Sequence, residues 1–224
     1  MDLKELEAQI TCLEDIHEIE NLERIYGYYF DTRQMAKIVD LFSKEHTESV
    51  EIESHGQYFG VEGVKKMYLV GAGGQTGRSG QAPPQRSRGT VTGTVIIQIG
   101  GVVTLDPDGK TAKGRWHTWL AETFPFGGRN GQYWLHGYYE NKFIKENGQW
   151  LFTKLYWNTT FYTRFETGWL IQPVVGFLPM PEADHPPTAF YPYPSGYHLP
   201  CSFPHPVSGE PDTTAQTYQH PMAM

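Results

Sequence analysis

The sequence predicts an α+β protein, a cone-shaped α+β barrel in which a bent antiparallel sheet wraps around N-terminal helices. Apolar residues recur at steps of three and four from Leu3 to Tyr29, the spacing of one buried stripe on an amphipathic helix. Strand-like runs joined by short turns fill the stretch from Lys110 to Arg164. Because the helices precede the strands instead of alternating with them, a parallel α/β sheet is excluded.

The helical half is predicted to contain three helices. Thr11 and Glu14 have the spacing of a capping box, so we expect a break in the first helix near Thr11. Shorter helices are predicted over Thr32 to Ser43 and Val61 to Val70. Between them, the alternating run Glu48 to Glu53 predicts a strand that turns at residues 55–57 into a second, short strand.

The second half is predicted to form a four-strand meander. Asp106-Pro107-Asp108-Gly109 and Asn147-Gly148 have the composition of tight turns. A glycine-rich loop, Gly71 to Gly89, precedes the meander, and loops of this length are usually functional or disordered. The predicted strands are Thr90 to Leu105, Lys110 to Phe124, Gln132 to Lys145 and Gln149 to Arg164.

The composition changes at residue 171, which divides the chain into a domain of residues 1–170 and an extension of residues 171–224. Twelve of the 16 prolines lie in the extension, and it contains no periodic run. It keeps aromatic residues that disordered tails usually lack, among them Phe190, Tyr191 and Tyr193. We therefore expect an extended strap that lies over the domain or over a neighbouring subunit.

Charge and composition limit the possible partners. The net charge of −7 argues against nucleic acid, and no run is apolar enough to span a membrane. The two cysteines, Cys12 and Cys201, have no partners at metal-ligand spacing, and the first residues lack a secretory leader, so a cytoplasmic protein is expected. Aromatic residues on both faces of the strands predict a homo-oligomer, with a trimer ahead of a dimer.

Several motifs resemble those of the nuclear transport factor 2-like superfamily. Tyr29-Phe30-Asp31 ends the first predicted helix, and Gly60-Val61-Glu62-Gly63-Val64 opens the third. Tyr138-Tyr139-Glu140-Asn141-Lys142-Phe143 and Asn147-Gly148-Gln149-Trp150 lie in the meander. Residues 10–168 are similar to the polyketide cyclase (SnoaL-like) and scytalone dehydratase branch. This resemblance implies a catalytic domain with one pocket and no cofactor.

The resemblance also implies pocket residues. Asp31 and His136 match acid–base positions of scytalone dehydratase-like enzymes, and Asn158 falls near another polar pocket position. Phe30 replaces the tyrosine expected before the aspartate, and the second catalytic histidine has no clear match. His117 or His55 would have to take its role.

The residues themselves support some of these roles and leave alternatives open. His117 shares a strand face with Arg115 and Trp119, and Tyr138 shares one with His136, by the period-two rule. Asp31 also has the spacing of a helix N-cap with Gln34, a purely structural role.

The remaining candidates are expected to bind substrate at the mouth of the pocket. His55 and Tyr58 lie at the first hairpin, and Tyr28 precedes Asp31 on the first helix. Arg78, in the glycine-rich loop, suits a carboxylate or phenolate, although a solvated loop charge is the alternative.

We therefore expect a cofactor-independent lyase that acts by acid–base catalysis on a hydroxylated aromatic small molecule. The length, the glycine- and arginine-rich loop and the strap resemble the diarylpropane lyases of lignin-degrading bacteria. That resemblance implies loss of formaldehyde and water from a 1,2-diarylpropane-1,3-diol to leave a stilbene. The alternatives are a dehydratase or isomerase of a polyketide-like or steroid-like substrate and a non-catalytic binding module.

Overall fold

The computed structural model describes residues 2–70, 93–126, 129–174, 180–188, 193, 195 and 199–212. The helices are α1 (Leu3–Asp31), α2 (Met35–Asp40) and α3 (Gly60–Lys65), which continues as a π-helix (Lys66–Val70). The strands are β1 (Ser49–Ile52), β2 (Gly56–Phe59), β3 (Gly93–Leu105), β4 (Thr111–Phe126), β5 (Arg129–Glu146) and β6 (Gln149–Arg164). The predicted α+β class and the order of the elements are confirmed.

The long helix α1 is continuous, so the break predicted near Thr11 is wrong. Its capping box lies at the start, where the Asp2 side chain accepts a hydrogen bond from the backbone N–H of Glu5. The Thr11 hydroxyl instead donates to the Glu7 carbonyl one turn earlier, at 3.0 Å. A threonine followed three residues later by glutamate is therefore compatible with a helix interior.

The six strands form one open sheet in the order β2-β1-β6-β5-β4-β3. Neighbouring strands run antiparallel except β1 and β6, which are parallel with Ser49 opposite Lys154. The sheet is therefore mixed and does not close into a barrel. Asn147 and Gly148, at the β5–β6 turn, have φ values of 50° and 77°, as the Asn-Gly signal predicts.

One face of the sheet packs on α1, and we call it the inner face. Tyr139 and Asn141 of β5 contact Tyr26 and Glu23 of α1, so alternate residues of β5 point toward the helix. The apolar core lies between these layers and includes Ile19 of α1. The opposite face, which we call the outer face, carries the remaining alternate residues.

The described part of the strap lies on the outer face and on the β1–β2 hairpin of its own chain. Gln57 donates a backbone hydrogen bond to the carbonyl of His185 at 2.8 Å. The Thr188 backbone N–H donates to a Glu51 carboxylate oxygen at 2.6 Å. Arg115 of β4 donates to the carbonyls of Leu199 and Pro200. The strap is thus bound by hydrogen bonds from several strands.

Candidate active site

Asp31 is the last residue of α1, and its side chain reaches the sheet. Its Oδ1 accepts a hydrogen bond from the backbone N–H of Ile96, an inner-face residue of β3, at 2.8 Å. The residue that caps α2 is Gln34, and it makes no side-chain cap. The N-cap interpretation of Asp31 is therefore wrong, and its carboxylate bridges the end of α1 and β3.

The environment of Asp31 favours proton exchange closer to neutral pH. Burial raises the pKa of its carboxyl above the ordinary value, against the lowering effects of the Ile96 N–H and of Arg33. Arg33 has a φ of 58°, in the left-handed region that costs a non-glycine residue free energy. Its guanidinium donates to the Thr94 hydroxyl at 2.8 Å, which directs the positive charge toward β3.

A second carboxylate, Glu122 of β4, lies close to the same arginine. Glu122 of β4 pairs with Thr94 of β3. Two residues earlier on β4, Leu120 pairs with Ile96. Burial raises the pKa of Glu122, while its hydrogen bond to Tyr162 and the charge of Arg33 lower it. The charge of Arg33 thus lowers the pKa of both Asp31 and Glu122, while burial raises both.

Glu122 is not among the residues predicted from the sequence, although the sequence carries one signal for it. Glu122 follows Leu120 at the period of a strand, so it shares the face of an apolar residue that packs in the core. A carboxylate two residues after a buried leucine on the same strand is expected to point to the same, inner side of the sheet. The same reasoning applies to Glu23, which lies between core residues Leu22 and Tyr26 on α1.

Deeper between α1 and the sheet lies a polar cluster around Glu23. Its side chain is fully buried and accepts hydrogen bonds from Asn141 at 2.9 Å and Gln98 at 3.0 Å. Burial raises the pKa of Glu23 to about 8, so it is largely protonated at neutral pH. The Thr118 hydroxyl, also on the inner face, is buried and has no hydrogen-bond partner within the described residues.

The Tyr26 hydroxyl lies beside this cluster. It accepts hydrogen bonds from Tyr68 at 3.2 Å and from Tyr139 at 3.4 Å. All three phenols are buried, and burial raises the pKa of Tyr26 well above its ordinary value. A hydroxyl that accepts two such bonds keeps its own proton available for an acceptor.

Four of the sequence-predicted site residues come together on the outer face. His117 lies opposite Tyr138 in the β4–β5 register, and their ring centroids are 4.7 Å apart. His136 lies 5.7 Å from His117, and Asn158 lies opposite Tyr138 and donates to Glu53. The expectation that His136 and Tyr138 share one face of their strand is confirmed.

The expectation that His117 and His136 share a pocket with Asp31 is not met within this chain. Tyr139 and Asn141 of β5 face α1, so His136 and Tyr138 face the opposite side of the sheet. Burial lowers the pKa of His117, with a further contribution from Arg115. Burial, followed by the charge of His117, lowers the pKa of His136 to about 4. Both imidazoles are therefore neutral at pH 7.

Three of the remaining predicted residues, Tyr28, Tyr58 and His55, are among the described residues. Tyr28 is 71% exposed on α1, whereas Tyr58 lies in the core with its hydroxyl unpaired within the described residues. His55 follows β1, where Ser54 Oγ lies 2.7 Å from its Nδ1 and burial lowers its pKa to about 4. Its carbonyl accepts a hydrogen bond from Met180 of the strap. Arg78 lies outside the described residues.

The SnoaL-like domain model matches residues 11–156 of the chain. The protein belongs to the SnoaL-like family. The match ends within β6, before the strap, so the family accounts for the helices and most of the sheet. No curated protein matches the sequence. None of the described helices is long and apolar enough to cross a membrane.

Solved structures with the same fold include several proteins named as enzymes. A candidate scytalone dehydratase from Novosphingobium aromaticivorans has a TM-score of 0.55 at 18% identity, covering 75% of this chain and 97% of its own. A type 2 hexachlorocyclohexane dehydrochlorinase gives 0.54 at 15% identity, with 70% and 93% covered. The type 3 enzyme from Novosphingobium barchaimii gives 0.55 at 14%, with 70% and 94% covered. At these identities the likeness establishes the fold alone.

Proposed function

We propose that this SnoaL-like protein is a cofactor-independent lyase that acts by acid–base catalysis on a hydroxylated aromatic small molecule. The observation that carries the proposal is Asp31, a partly buried carboxyl with a raised pKa, fixed by the backbone N–H of Ile96 in the edge strand β3. A general base or acid needs a fixed position and a pKa shifted toward the working pH. Asp31 meets both conditions.

Glu122 supplies the second group that an elimination needs. In the proposed scheme Asp31, as carboxylate, removes a proton from the substrate, and Glu122, as carboxylic acid, protonates the departing hydroxyl. Burial raises the pKa of both groups, and Arg33 acts on both. Because the guanidinium offsets one negative charge, one carboxyl of the pair is able to ionise while the other keeps its proton.

The named enzymes of this fold support an elimination. A dehydratase removes water and a dehydrochlorinase removes hydrogen chloride, so both take a proton and a leaving group from one substrate. The same division of work between a base and an acid suits Asp31 and Glu122. Tyr133, which is buried on β5 in register with Glu122, offers an aromatic wall beside the pair.

At the level of the substrate, we propose a lignin-derived 1,2-diarylpropane-1,3-diol. Asp31 takes the proton of the γ-hydroxyl, the bond between the γ-carbon and the chain breaks, and formaldehyde leaves. The electron pair of that bond forms the stilbene double bond as the benzylic hydroxyl departs, protonated by Glu122, as water. One proton is removed and one is supplied, so the reaction consumes no oxidant or reductant.

A dehydratase or isomerase of a polyketide-like or steroid-like substrate is the second candidate. The observation that favours it is the Tyr26 hydroxyl, which accepts hydrogen bonds from two buried phenols next to the protonated Glu23. Such a group stabilises negative charge that develops on a carbonyl oxygen, as an enol-forming reaction requires. This candidate uses the same inner face without carbon–carbon cleavage.

The test is to incubate the protein with a 1,2-diarylpropane-1,3-diol and to measure formaldehyde and stilbene fluorescence together. The proposal expects the two products in equal amounts, at a rate that a chelator leaves unchanged. Loss of water without formaldehyde supports the second candidate. Tyr28→Phe is a matched control, since this exposed tyrosine should not affect the rate. Loss of activity on chelation, with recovery on adding zinc, would contradict the cofactor-independent mechanism.

A further inference from the structure

The edge strand β3 carries an exposed apolar row on the outer face, which we call the β3 ridge. It consists of Val95, Ile97, Ile99 and Val102, whose side chains are 40–55% exposed. Ile99 pairs with His117 and Val102 pairs with Arg115, two outer-face residues of β4. Within the part of the chain that the structure describes, no hydrogen bond joins the strap to β3. The ridge is therefore open to solvent in the single chain.

β3 lacks the features that usually protect an edge strand. Natural edge strands carry a charged side chain or a proline that keeps other chains from packing there. The 13 residues of β3, Gly93–Leu105, include neither, although the strand ends the sheet. One backbone group of its edge is already bound, because the Ile96 N–H donates to Asp31. A partner therefore fits the exposed face of β3 better than its edge.

A second exposed apolar row lies on the first half of α1, and we call it the α1 stripe. It consists of Leu3, Leu6, Ile10 and Leu13, which are 39–71% exposed. The stripe is about 15 Å long at the rise of an α-helix, and the ridge is about 20 Å long in its bulged strand. Because α1 is one continuous helix that packs on the inner face, its stripe cannot cover the ridge of its own chain.

The two rows expose enough apolar surface for an interface between copies. Summed over their eight side chains, they expose roughly 750 Å². Apolar atoms supply a little over half of a typical interface, so a contact built around both rows would bury about 1,200 Å² in total. That area reaches the lower limit of specific, stable interfaces. A contact of ridge with stripe also covers both rows, whereas pairing of ridge with ridge leaves the stripe open.

The charges beside the two rows have opposite signs. Lys113 follows Arg115 on the outer face of β4, is exposed, and forms no ion pair among the described residues. From Asp2 to Glu14, α1 and its cap contain four carboxylates and one lysine. Attraction between an acidic helix and a lysine beside the ridge favours the approach of one to the other.

We propose that α1 of a neighbouring copy packs with its stripe on the β3 ridge. A helix that packs by an apolar stripe on a sheet face is an ordinary two-layer arrangement. Each copy offers one ridge and one stripe, so the contact repeats from copy to copy and closes as a ring or as a mutual pair. The contact involves neither carboxyl group of the proposed reaction and does not depend on that reaction.

The test is a cross-link between copies, for which the chain supplies one thiol. Cys12 is exposed on α1, next to Leu13 of the stripe. In full-length Ile97→Cys/Cys201→Ser, a short bismaleimide should join this thiol to the new one on the ridge and give a covalent dimer on a denaturing gel. Two matched variants keep one thiol each and should give no dimer: Cys201→Ser keeps the helix thiol, and Ile97→Cys/Cys12→Ser/Cys201→Ser keeps the strand thiol.

Each other outcome of the cross-link overturns the proposal. A dimer through the helix thiol alone means that stripe pairs with stripe, and a dimer through the strand thiol alone means that ridge pairs with ridge. If no variant gives a dimer, a segment of the same chain covers the ridge.

A charge placed on the ridge gives a second test. Ile97→Lys/Ile99→Lys should reduce the mass in light scattering to that of the single chain, 25.5 kDa, because two ammonium groups cannot be buried under the helix. Val207→Lys, at an 89% exposed position of the strap, is the control and should keep the wild-type mass. The proposal is overturned if the ridge variant keeps the wild-type mass.

Discussion

Asp31 has two roles to separate: it contacts the Ile96 N–H of β3, and it is the proposed general base. Asparagine is nearly isosteric with aspartate, and its Oδ1 still accepts the hydrogen bond from the Ile96 N–H. Asp31→Asn should therefore preserve the contact between α1 and β3 and leave the melting temperature almost unchanged. Its kcat should fall by about 10²- to 10⁴-fold, the usual effect of losing a general base. Steady-state kinetics and thermal unfolding of the same preparation measure both effects.

Two results would contradict this role. A kcat within about threefold of wild type would show that Asp31 only connects the helix to the strand. The pH profile gives an independent check, because a carboxylate base stops working as the pH falls through its pKa. Burial raises the pKa of Asp31, so the acid limb of kcat should lie above the ordinary aspartate pKa of about 3.9. An acid limb at or below that value would not fit.

Glu23 makes a different prediction, about stability. Its pKa in the folded protein is about 8, above its ordinary value of 4.5, so between these values the folded chain holds a proton that the unfolded chain has lost. Stability should therefore fall as the pH rises through this window, by up to about 1.4 kcal/mol per pH unit. Below pH 4.5 the group contributes no pH dependence, because both states are protonated.

Glu23→Gln should remove that loss, since glutamine is neutral at every pH. Urea unfolding at pH 5 and pH 8 measures it, and the fall in unfolding free energy should be smaller in the variant than in wild type. Some fall should remain, because burial also raises the pKa of Glu53, to about 7. An equal fall in both proteins would mean that Glu23 is not the buried neutral acid.

The sequence could not reveal which face of the sheet each candidate occupies. The two-residue period of a strand correctly predicts that His117 and Arg115 share one face of β4, and that His136 and Tyr138 share one face of β5. The alternating pattern is the same whichever set of strand residues faces the helix. Only the contact of Tyr139 with Tyr26 of α1 shows that the set containing His136 faces away from it. Both faces of these strands carry large apolar or aromatic side chains, so alternation alone does not distinguish the inner face from the outer one.

At the scale of elements, the strap contacts the sheet at the ion pair between Arg115 of β4 and Glu140 of β5. Their side chains are 10% and 14% exposed, and Arg115 also binds two strap carbonyls. Arg115→Met should cost about 3–5 kcal/mol of unfolding free energy, because it leaves a buried carboxylate without its cation. Urea unfolding at pH 7 measures the cost.

The matched variant is Arg115→Met/Glu140→Leu, which replaces both charges with apolar groups. Replacing a whole buried pair is often neutral, so the double variant should recover most of the stability. If the double variant is as unstable as the single one, the strap contacts of Arg115 account for the loss instead. A cost below about 1 kcal/mol for the single variant would rule out a structural role for the pair.

Elements with strong local signals were predictable, and those set by distant contacts were not. The meander was predictable because its turns carry Asp-Gly and Asn-Gly signals, and β6 has the predicted bounds Gln149–Arg164. The second helix is shorter than predicted, Met35–Asp40, because the chain around Arg33 adopts a left-handed φ and turns toward β3. The parallel pairing of β1 with β6 leaves no local signal at all.

At the scale of the whole molecule, the first half of α1 carries apolar side chains that are exposed in the single chain. Its apolar stripe continues with the 3-4-3 spacing of a coiled-coil seam, yet the side chains are 39–71% exposed. The stripe consists of Leu3, Leu6, Ile10 and Leu13. We propose that another copy of the chain covers it, in a homotrimer or, as the second choice, a homodimer.

Leu6→Glu/Ile10→Glu should dissociate this assembly, because it places two charges in the seam. Light scattering should then give the mass of the single chain, 25.5 kDa, whereas wild type gives a multiple of it. Glu7→Ala, on the same turn but outside the stripe, should keep the wild-type mass. A wild-type protein that stays a single chain at micromolar concentration would contradict the proposal.

The parallel pairing of β1 with β6 also sets the order in which the molecule is completed. Ser49–Ile52 of β1 pair with β2 and with β6, whose matching residues Lys154–Trp157 come about a hundred positions later. An isolated two-stranded hairpin is only marginally stable in water, so we expect β1 and β2 to become stably ordered only after the last strand, β6, is synthesised. Until then Val50 and Tyr58, fully buried in the finished molecule, stay open to water or to a chaperone.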